Sequence, residues 1–138
     1  MSAGTGIQHA EYNLEDEETN LFQIWITPDA QGFAPRWDSA KFPRQDIEDA
    51  LPLLVSGDGQ APLHINNVAA KIFAGALRDG QTLMHAISGR AYILVSEGSL
   101  RIGDIDAVRG DGITVEGQDS IDIIAQSDAD VLIIEVAA

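Results

Sequence analysis

The feature that most constrains the fold is a series of short apolar runs after residue 50, each ended by a turn signal. The runs are rich in β-branched residues, and turns such as Asp79-Gly80 and Gly110-Asp111-Gly112 supply the positive φ angles of tight hairpins. The predicted strands are 51–55, 63–66, 70–77, 81–87, 91–95, 100–102, 105–108, 113–115, 121–125 and 131–136. No segment shows the period of an amphipathic helix. Many short, evenly spaced strands predict an all-β sandwich or barrel.

The charge balance excludes several classes of partner. The chain carries 22 acidic against 8 basic residues, a net charge of -14. Such a surface repels nucleic-acid phosphates and anionic lipid, so we expect neither nucleic acid nor membrane as a partner. There are no cysteines, which excludes disulfides and thiolate metal sites and is consistent with a reducing compartment. Without a signal-peptide pattern or a long apolar stretch, the sequence predicts a cytoplasmic location.

The first third of the chain has a different organisation. An acidic run at residues 15–18 predicts a solvated loop, because adjacent like charges repel. Residues 21–26 (LFQIWI) are apolar and predict one strand. Residues 28–46 are rich in proline, glycine and charge and are typical of a linker. We therefore divide the chain into an N-terminal segment, 1–27, a linker, 28–49, and a main domain, 50–138.

His9 and Glu11 are the candidate metal ligands. Their spacing places both side chains on one face of an extended strand, and an imidazole beside a carboxylate suits Fe(II), Mn or Zn. Two ligands are too few for a stable site, which usually has three or four. For the chain alone, the residues favour a surface pair over a metal site. His64 and His85 stand singly, and the sequence favours a hydrogen-bonded or exposed side chain for each.

The order of motifs resembles a known family. Residues 92–103 and 109–112 resemble the middle of a cupin barrel. Residues 2–13 (SAGTGIQHAEYN) resemble the segment that carries the His-x-Glu ligands of bacterial pirin-like proteins, and 21–26 resembles the strand that follows it. Pro35-Arg36-Trp37 and Lys41-Phe42-Pro43 resemble the linker of these proteins. The chain is thus similar to the pirin family over nearly its whole length.

That resemblance implies a fold and a site. It implies a cupin, an antiparallel β-barrel or jelly roll, with an N-terminal strand appendage. Pirins are bicupins, so 1–27 would be the remnant of a first cupin and 50–138 the C-terminal cupin. The first cupin holds one metal through a His-x-His pair and the His-x-Glu motif, and His9 and Glu11 match the latter. The His-x-His pair would lie upstream of Met1, so the chain resembles a reduced or truncated pirin.

Three functions remain open. The first is a reduced pirin-like cupin, metal-free or incompletely liganded, with a binding or structural role and no cofactor. The second is a quercetin 2,3-dioxygenase whose site is completed by another chain, with Fe, Cu, Mn or Zn. The third is a protein-interaction module, in keeping with the acidity and with the family's transcriptional co-regulators. The isolated chain is accordingly not expected to be an enzyme.

The apolar run within residues 21–26 needs burial, and its backbone needs partners. It could add to an edge of its own barrel, or it could pair with the same segment of a second chain. We favour the second arrangement and expect a homodimer through residues 4–26. Such a dimer could also bring two His9/Glu11 pairs together.

Overall fold

The computed structural model describes residues 1–137 and contains ten strands and no helix in that range. The strands are β1 (Leu53–Ser56), β2 (Leu63–His64), β3 (Lys71–Leu77), β4 (Thr82–Ala86), β5 (Arg90–Glu97), β6 (Ser99–Ile102), β7 (Ile105–Val108), β8 (Gly112–Val115), β9 (Ser120–Ala125) and β10 (Ala129–Val136). Each coincides, within a few residues at its ends, with a predicted strand. Within residues 1–137, no helix has the length and hydropathy needed to cross a membrane.

The strands form two sheets, of six and four strands. The larger has the order β2-β1-β3-β10-β5-β8, and the smaller has the order β4-β9-β6-β7. From β3 onward the chain passes back and forth between the two sheets. All pairings are antiparallel except that of β1 with β2. The all-β, jelly-roll class predicted from the sequence is confirmed.

The core lies between the sheets, because alternate side chains of each strand point inward. In β10 every second residue is buried, and β4 and β9 show the same alternation. Ile133 of β10 lies opposite Ile93 of β5 on one side and Phe73 of β3 on the other. Ile93 in turn lies opposite Ile113 of β8. This row of apolar side chains crosses the middle of the six-stranded sheet.

Two glycines in turns show how local geometry constrains the sequence. Gly80 and Gly98 have φ angles of 77° and 74°, a region that side chains disfavour. At Gly98 an added Cβ would collide with the backbone carbonyl of Asp128, whereas at Gly80 it would meet no atom within 4 Å. The turn at Gly98 therefore carries a steric requirement in addition to its dihedral angles.

We expect Gly80→Ala to lower the free energy of unfolding by about 1–2 kcal/mol, the cost of a left-handed conformation for a residue with a Cβ. Gly98→Ala should cost clearly more, because Asp128 and Ala129 must also shift. Urea denaturation of the two variants measures the difference. Equal losses of stability in the two variants would show that the contact between residue 98 and the Asp128 backbone relaxes at no cost in free energy.

Residues 1–52 contain no strand, only two isolated bridges, Ser2 with Arg36 and Asp46 with Ala76. The strand predicted at 21–26 is therefore wrong as a paired element, although its extended backbone lies beside the six-stranded sheet. The physical reason is its position. Residues 22–27 line a groove with the outer face of β5, β8 and β10, so they lie over a sheet face instead of along a sheet edge.

Hydrogen bonds and apolar packing attach the N-terminal part of the chain to the sheets. Asn67 donates a 2.8 Å hydrogen bond to the Thr27 carbonyl, and the Val68 amide donates one of 2.7 Å to Asp29. Further along, the Ile47 amide donates to the Ala76 carbonyl, and Ile47 is buried in the main core. Both ends of the predicted linker, 28–49, are thus hydrogen-bonded to the two-sheet domain.

Candidate functional site

His9 and Glu11 lie side by side in an extended segment that belongs to no strand. His9 Nε2 is 3.7 Å from Glu11 Oε1, which is within ion-pair distance and too long for a hydrogen bond. Their side chains are 39% and 53% exposed. The predicted arrangement on one side of the chain is therefore present, and the donor atoms are open to solvent.

The described residues do not supply a third ligand. Among residues 1–137 no group of three or more His, Cys, Asp or Glu side chains could hold a metal ion. The acidic run at 15–18 forms a loop closed on Asn13, whose side chain donates to the Glu17 carbonyl and accepts from the Glu15 amide. His9 and Glu11 thus remain a set of two donors within residues 1–137, fewer than the three or four of a usual metal site.

The other two histidines have separate environments. His64 ends β2 and is half-buried. His85 lies in β4 and is buried, with its ring edge-on to Phe73 at a centroid distance of 4.8 Å. Neither joins His9 and Glu11. For His85 the hydrogen-bonded alternative is confirmed.

His85 belongs to a buried polar cluster that links the two sheets. Its Nε2 lies 2.9 Å from Oε1 of Glu135. Oε2 of Glu135 accepts 2.7 Å and 3.2 Å hydrogen bonds from the hydroxyl and amide of Ser88. Both carboxylate oxygens of a residue that is 1% exposed are thus paired. Ser88 bonds to the carboxylate and not to His85, so the cluster is not the serine–histidine relay of a hydrolase.

Sequence reasoning singled out His85 but missed Glu135. The alternation of apolar residues in β10 contained a signal for Glu135. Residues 129, 131 and 133 are apolar and alternate inward, and Glu135 continues that register. A carboxylate at an inward position needs a buried partner, and His85 occupies the inward register of β4 in the same way.

The two-sheet jelly roll, with strands alternating between the sheets, is the architecture of a cupin. Residues 53–136 match the family model described as the quercetinase C-terminal cupin domain. The chain therefore belongs to this family of pirin-like cupins. This confirms both the resemblance to pirins and the cupin fold predicted from the sequence.

Three relatives illustrate the family. A Pseudomonas aeruginosa protein is 42% identical over 141 residues, covering 99% of this chain and 60% of its own length. The quercetin 2,3-dioxygenase of Escherichia coli K12 is 33% identical, with 99% and 59% covered. The crystal structure of the Escherichia coli bacterial pirin YhhW in complex with nickel(II) matches with a TM-score of 0.73 and 26% identity, covering 82% of this chain and 48% of that one. The chain thus spans about 60% of the length of its curated relatives.

Proposed function

We propose that this chain is a non-catalytic pirin-like cupin whose His9/Glu11 pair is an incomplete metal half-site, and that it serves a binding or structural role. The observation that carries the proposal is the exposed pair at 3.7 Å without a third ligand among residues 1–137. A metal held by two protein ligands exchanges readily with water and with competing chelators. We further propose that the chain consists of an N-terminal segment, 1–27, a linker, 28–49, and a main domain, 50–138. We also propose a cytoplasmic location.

The interior of the main domain supports a structural role. Its centre is filled by aliphatic side chains from both sheets, among them Leu100, Ile123 and Ile133, each fully buried. The buried polar side chains are hydrogen-bonded: within residues 1–137, no buried side-chain nitrogen or oxygen lacks a hydrogen-bond partner. A core packed in this way stabilises a scaffold and offers no free donor to a ligand.

Metal reconstitution tests the proposal. Purified protein is incubated anaerobically with Fe(II), and separately with Mn(II), Cu(II), Ni(II) and Zn(II), then desalted and analysed by elemental mass spectrometry. We expect substoichiometric metal in every case. Weak binding seen before desalting should be lost in His9→Ala and retained in His64→Ala, since His64 lies apart from the pair.

One metal ion per chain that survives desalting and disappears in His9→Ala would contradict the half-site. A stoichiometric metal unaffected by His9→Ala would place a site elsewhere and would also contradict the proposal. Loss of binding in both histidine variants would indicate misfolding, which circular dichroism on the same samples identifies.

A second candidate function is a quercetin 2,3-dioxygenase-type reaction whose metal site is completed by ligands from another polypeptide. The adjacency of His9 and Glu11 favours it, and so does the name of the Escherichia coli relative. Quercetin consumption under oxygen, with each metal supplied, tests this candidate when it is measured for the chain alone and for the chain mixed with a polypeptide that supplies the missing ligands. We expect no turnover by the chain alone, and turnover abolished by His9→Ala would establish the second function in place of the first.

A further inference from the structure

The chain contains three Asp-Gly dipeptides, at 58–59, 79–80 and 111–112. All six residues are exposed. An aspartate followed by glycine can close to a cyclic imide, because glycine has no side chain to hinder the approach of its amide nitrogen to the aspartate carboxyl. Since the three dipeptides share sequence and exposure, a difference in their reactivity must come from the hydrogen bonds and the packing around each.

The dipeptide at 79–80 is held by the backbone around it. The Gly80 amide, whose nitrogen would be the nucleophile, donates a 2.9 Å hydrogen bond to the Ala125 carbonyl. The Asp79 amide donates a 3.0 Å hydrogen bond to Oδ1 of Asp128. The bond to Ala125 must break before the nitrogen can attack the carboxyl. Reaction at this dipeptide therefore has to wait for local opening of the turn.

The dipeptide at 111–112 is held in a different way. The Asp111 amide donates to the Val108 carbonyl at 2.9 Å, and the Asp111 carbonyl accepts from the Val95 amide at 3.1 Å. Oδ2 of Asp111 accepts a 2.9 Å hydrogen bond from the Val108 amide, so the carboxyl is held by the preceding turn. The Tyr92 hydroxyl covers the next residue, since a Cβ added at Gly112 would lie 1.9 Å from it. Ring closure here would require several of these contacts to break.

The dipeptide at 58–59 lacks these restraints. Within residues 1–137, neither Asp58 nor Gly59 forms a backbone–backbone hydrogen bond. Oδ1 of Asp58 accepts a 3.1 Å hydrogen bond from the Gln60 amide, two residues further on. This bond turns the carboxyl toward the backbone that follows, where the Gly59 amide lies between the two bonded residues. A Cβ added at Gly59 would meet no atom of residues 1–137 within 4 Å, so the nitrogen can move toward the carboxyl without a clash.

The ends of the same loop are fixed, in contrast to its centre. The Gly57 amide donates to the Ala70 carbonyl at 3.1 Å. The Ser56 hydroxyl oxygen accepts hydrogen bonds from the amides of Gln60 and Ala61, each of 3.1 Å. The loop thus stays bent around Asp58 and Gly59 while the bond between these two residues remains free to rotate.

We propose that Asp58 is a site of isoaspartate formation in the folded protein, and that Asp79 and Asp111 are protected from it. The Gly59 nitrogen bonds to Cγ of Asp58, and the proton of this nitrogen leaves with the carboxyl hydroxyl as water. Water then hydrolyses the cyclic imide. Cleavage of the new bond to Cγ restores aspartate. Cleavage of the original peptide bond instead leaves a chain that runs through Cβ and Cγ and is longer by one carbon.

The reaction is expected to accelerate as the pH falls from neutral. Hydrogen bonds from Ser56 and Gln60 hold the pKa of the Asp58 carboxyl below its ordinary value, and the charge of Lys71 acts in the same direction. The carboxyl is therefore ionised at neutral pH, whereas loss of water requires its protonated form. The lowered pKa slows the reaction, so the selectivity for Asp58 depends on its free backbone and on the direction of its carboxyl.

Peptide mapping of aged protein tests the proposal. Trypsin places the three dipeptides on separate peptides, 45–71, 79–90 and 110–138. The folded protein is incubated in weakly acidic buffer and digested, and isoaspartate is quantified by enzymatic methylation with isoaspartyl methyltransferase and assigned to a residue by electron-based fragmentation. We expect about tenfold more isoaspartate at residue 58 than at residue 79 or 111, because reaction at the latter two requires local opening.

Two controls identify the cause of the selectivity. Protein aged in guanidinium chloride should form isoaspartate at all three dipeptides at similar rates, since the tertiary contacts are lost. Asp58→Glu retains the charge of an exposed residue but places the carboxyl one carbon too far for the same ring, so the signal at residue 58 should vanish. Equal isoaspartate at the three positions of the folded protein would overturn the proposal. So would its absence at residue 58 under conditions in which the denatured protein reacts.

Discussion

Replacing Glu135 by alanine is expected to lower the free energy of unfolding by about 2–5 kcal/mol, because the buried His85 ring loses its hydrogen-bond partner and the missing side chain leaves a cavity. The carboxylate links the sheets: Glu135 lies on β10 of the larger sheet, and His85 lies on β4 of the smaller. Without it, the buried His85 ring loses its hydrogen-bond partner in the core, and the hydroxyl and amide of Ser88, an exposed residue, lose their acceptor at the edge of the cluster. Each unsatisfied group adds a desolvation cost.

The matched control is Glu116→Ala. Glu116 forms an exposed pair with Arg90 at 3.8 Å, and both side chains are more than half exposed. Such pairs contribute about 0–1 kcal/mol, so this variant should be almost neutral. Urea unfolding of both variants at one fixed protein concentration gives the comparison, since self-association would otherwise shift the midpoint. If Glu135→Ala costs no more than Glu116→Ala, the cluster does not stabilise the fold.

A double variant tests whether His85 and Glu135 stabilise the fold together or independently. His85→Leu combined with Glu135→Leu replaces both polar partners by apolar side chains. Replacing both members of the pair avoids leaving either one without its partner in the core, although Ser88 still loses its acceptor. We expect the double variant to be more stable than the sum of the single changes predicts, by about 0.5–3 kcal/mol of coupling. Strict additivity would indicate that His85 and Glu135 act independently.

Ile133→Ala is also expected to have a large effect, lowering the free energy of unfolding by about 2–5 kcal/mol. Ile133 is fully buried at the centre of the six-stranded sheet, between Phe73 and Ile93 in the pairing register. Truncation leaves a cavity that two neighbouring strands, fixed by their own hydrogen bonds, cannot close. Ile133→Val removes a single methylene and should cost about 0.5–1.5 kcal/mol.

Ile134→Ala is the control for this prediction. Ile134 is the next residue of β10, points to the outer face and is half-buried. Because that face is partly open, its truncation leaves no enclosed cavity and should cost less than Ile133→Ala. Thermal or urea unfolding ranks the three variants. A larger loss at Ile134 than at Ile133 would mean that the outer face, and not the space between the sheets, contains the main core.

The sequence by itself determined the strands and their faces. Runs such as 121–125 and 131–136 alternate apolar residues with a period of two, and glycines such as Gly98 end strands where a positive φ is required. These are local properties, since side-chain direction along a strand and the dihedral angles of a turn depend on a few adjacent residues. The resemblance of residues 2–13 to the family was also readable, because the segment is contiguous.

Only the tertiary structure decided what depends on residues far apart in the chain. Glu135 and His85 are 50 positions apart and meet because β10 and β4 lie in facing sheets. Strand propensity in residues 21–26 did not produce a strand, because a strand requires a neighbour at a sheet edge and this segment lies over a sheet face. Likewise, the lack of a third ligand for His9 and Glu11 within residues 1–137 follows from which side chains the fold brings together.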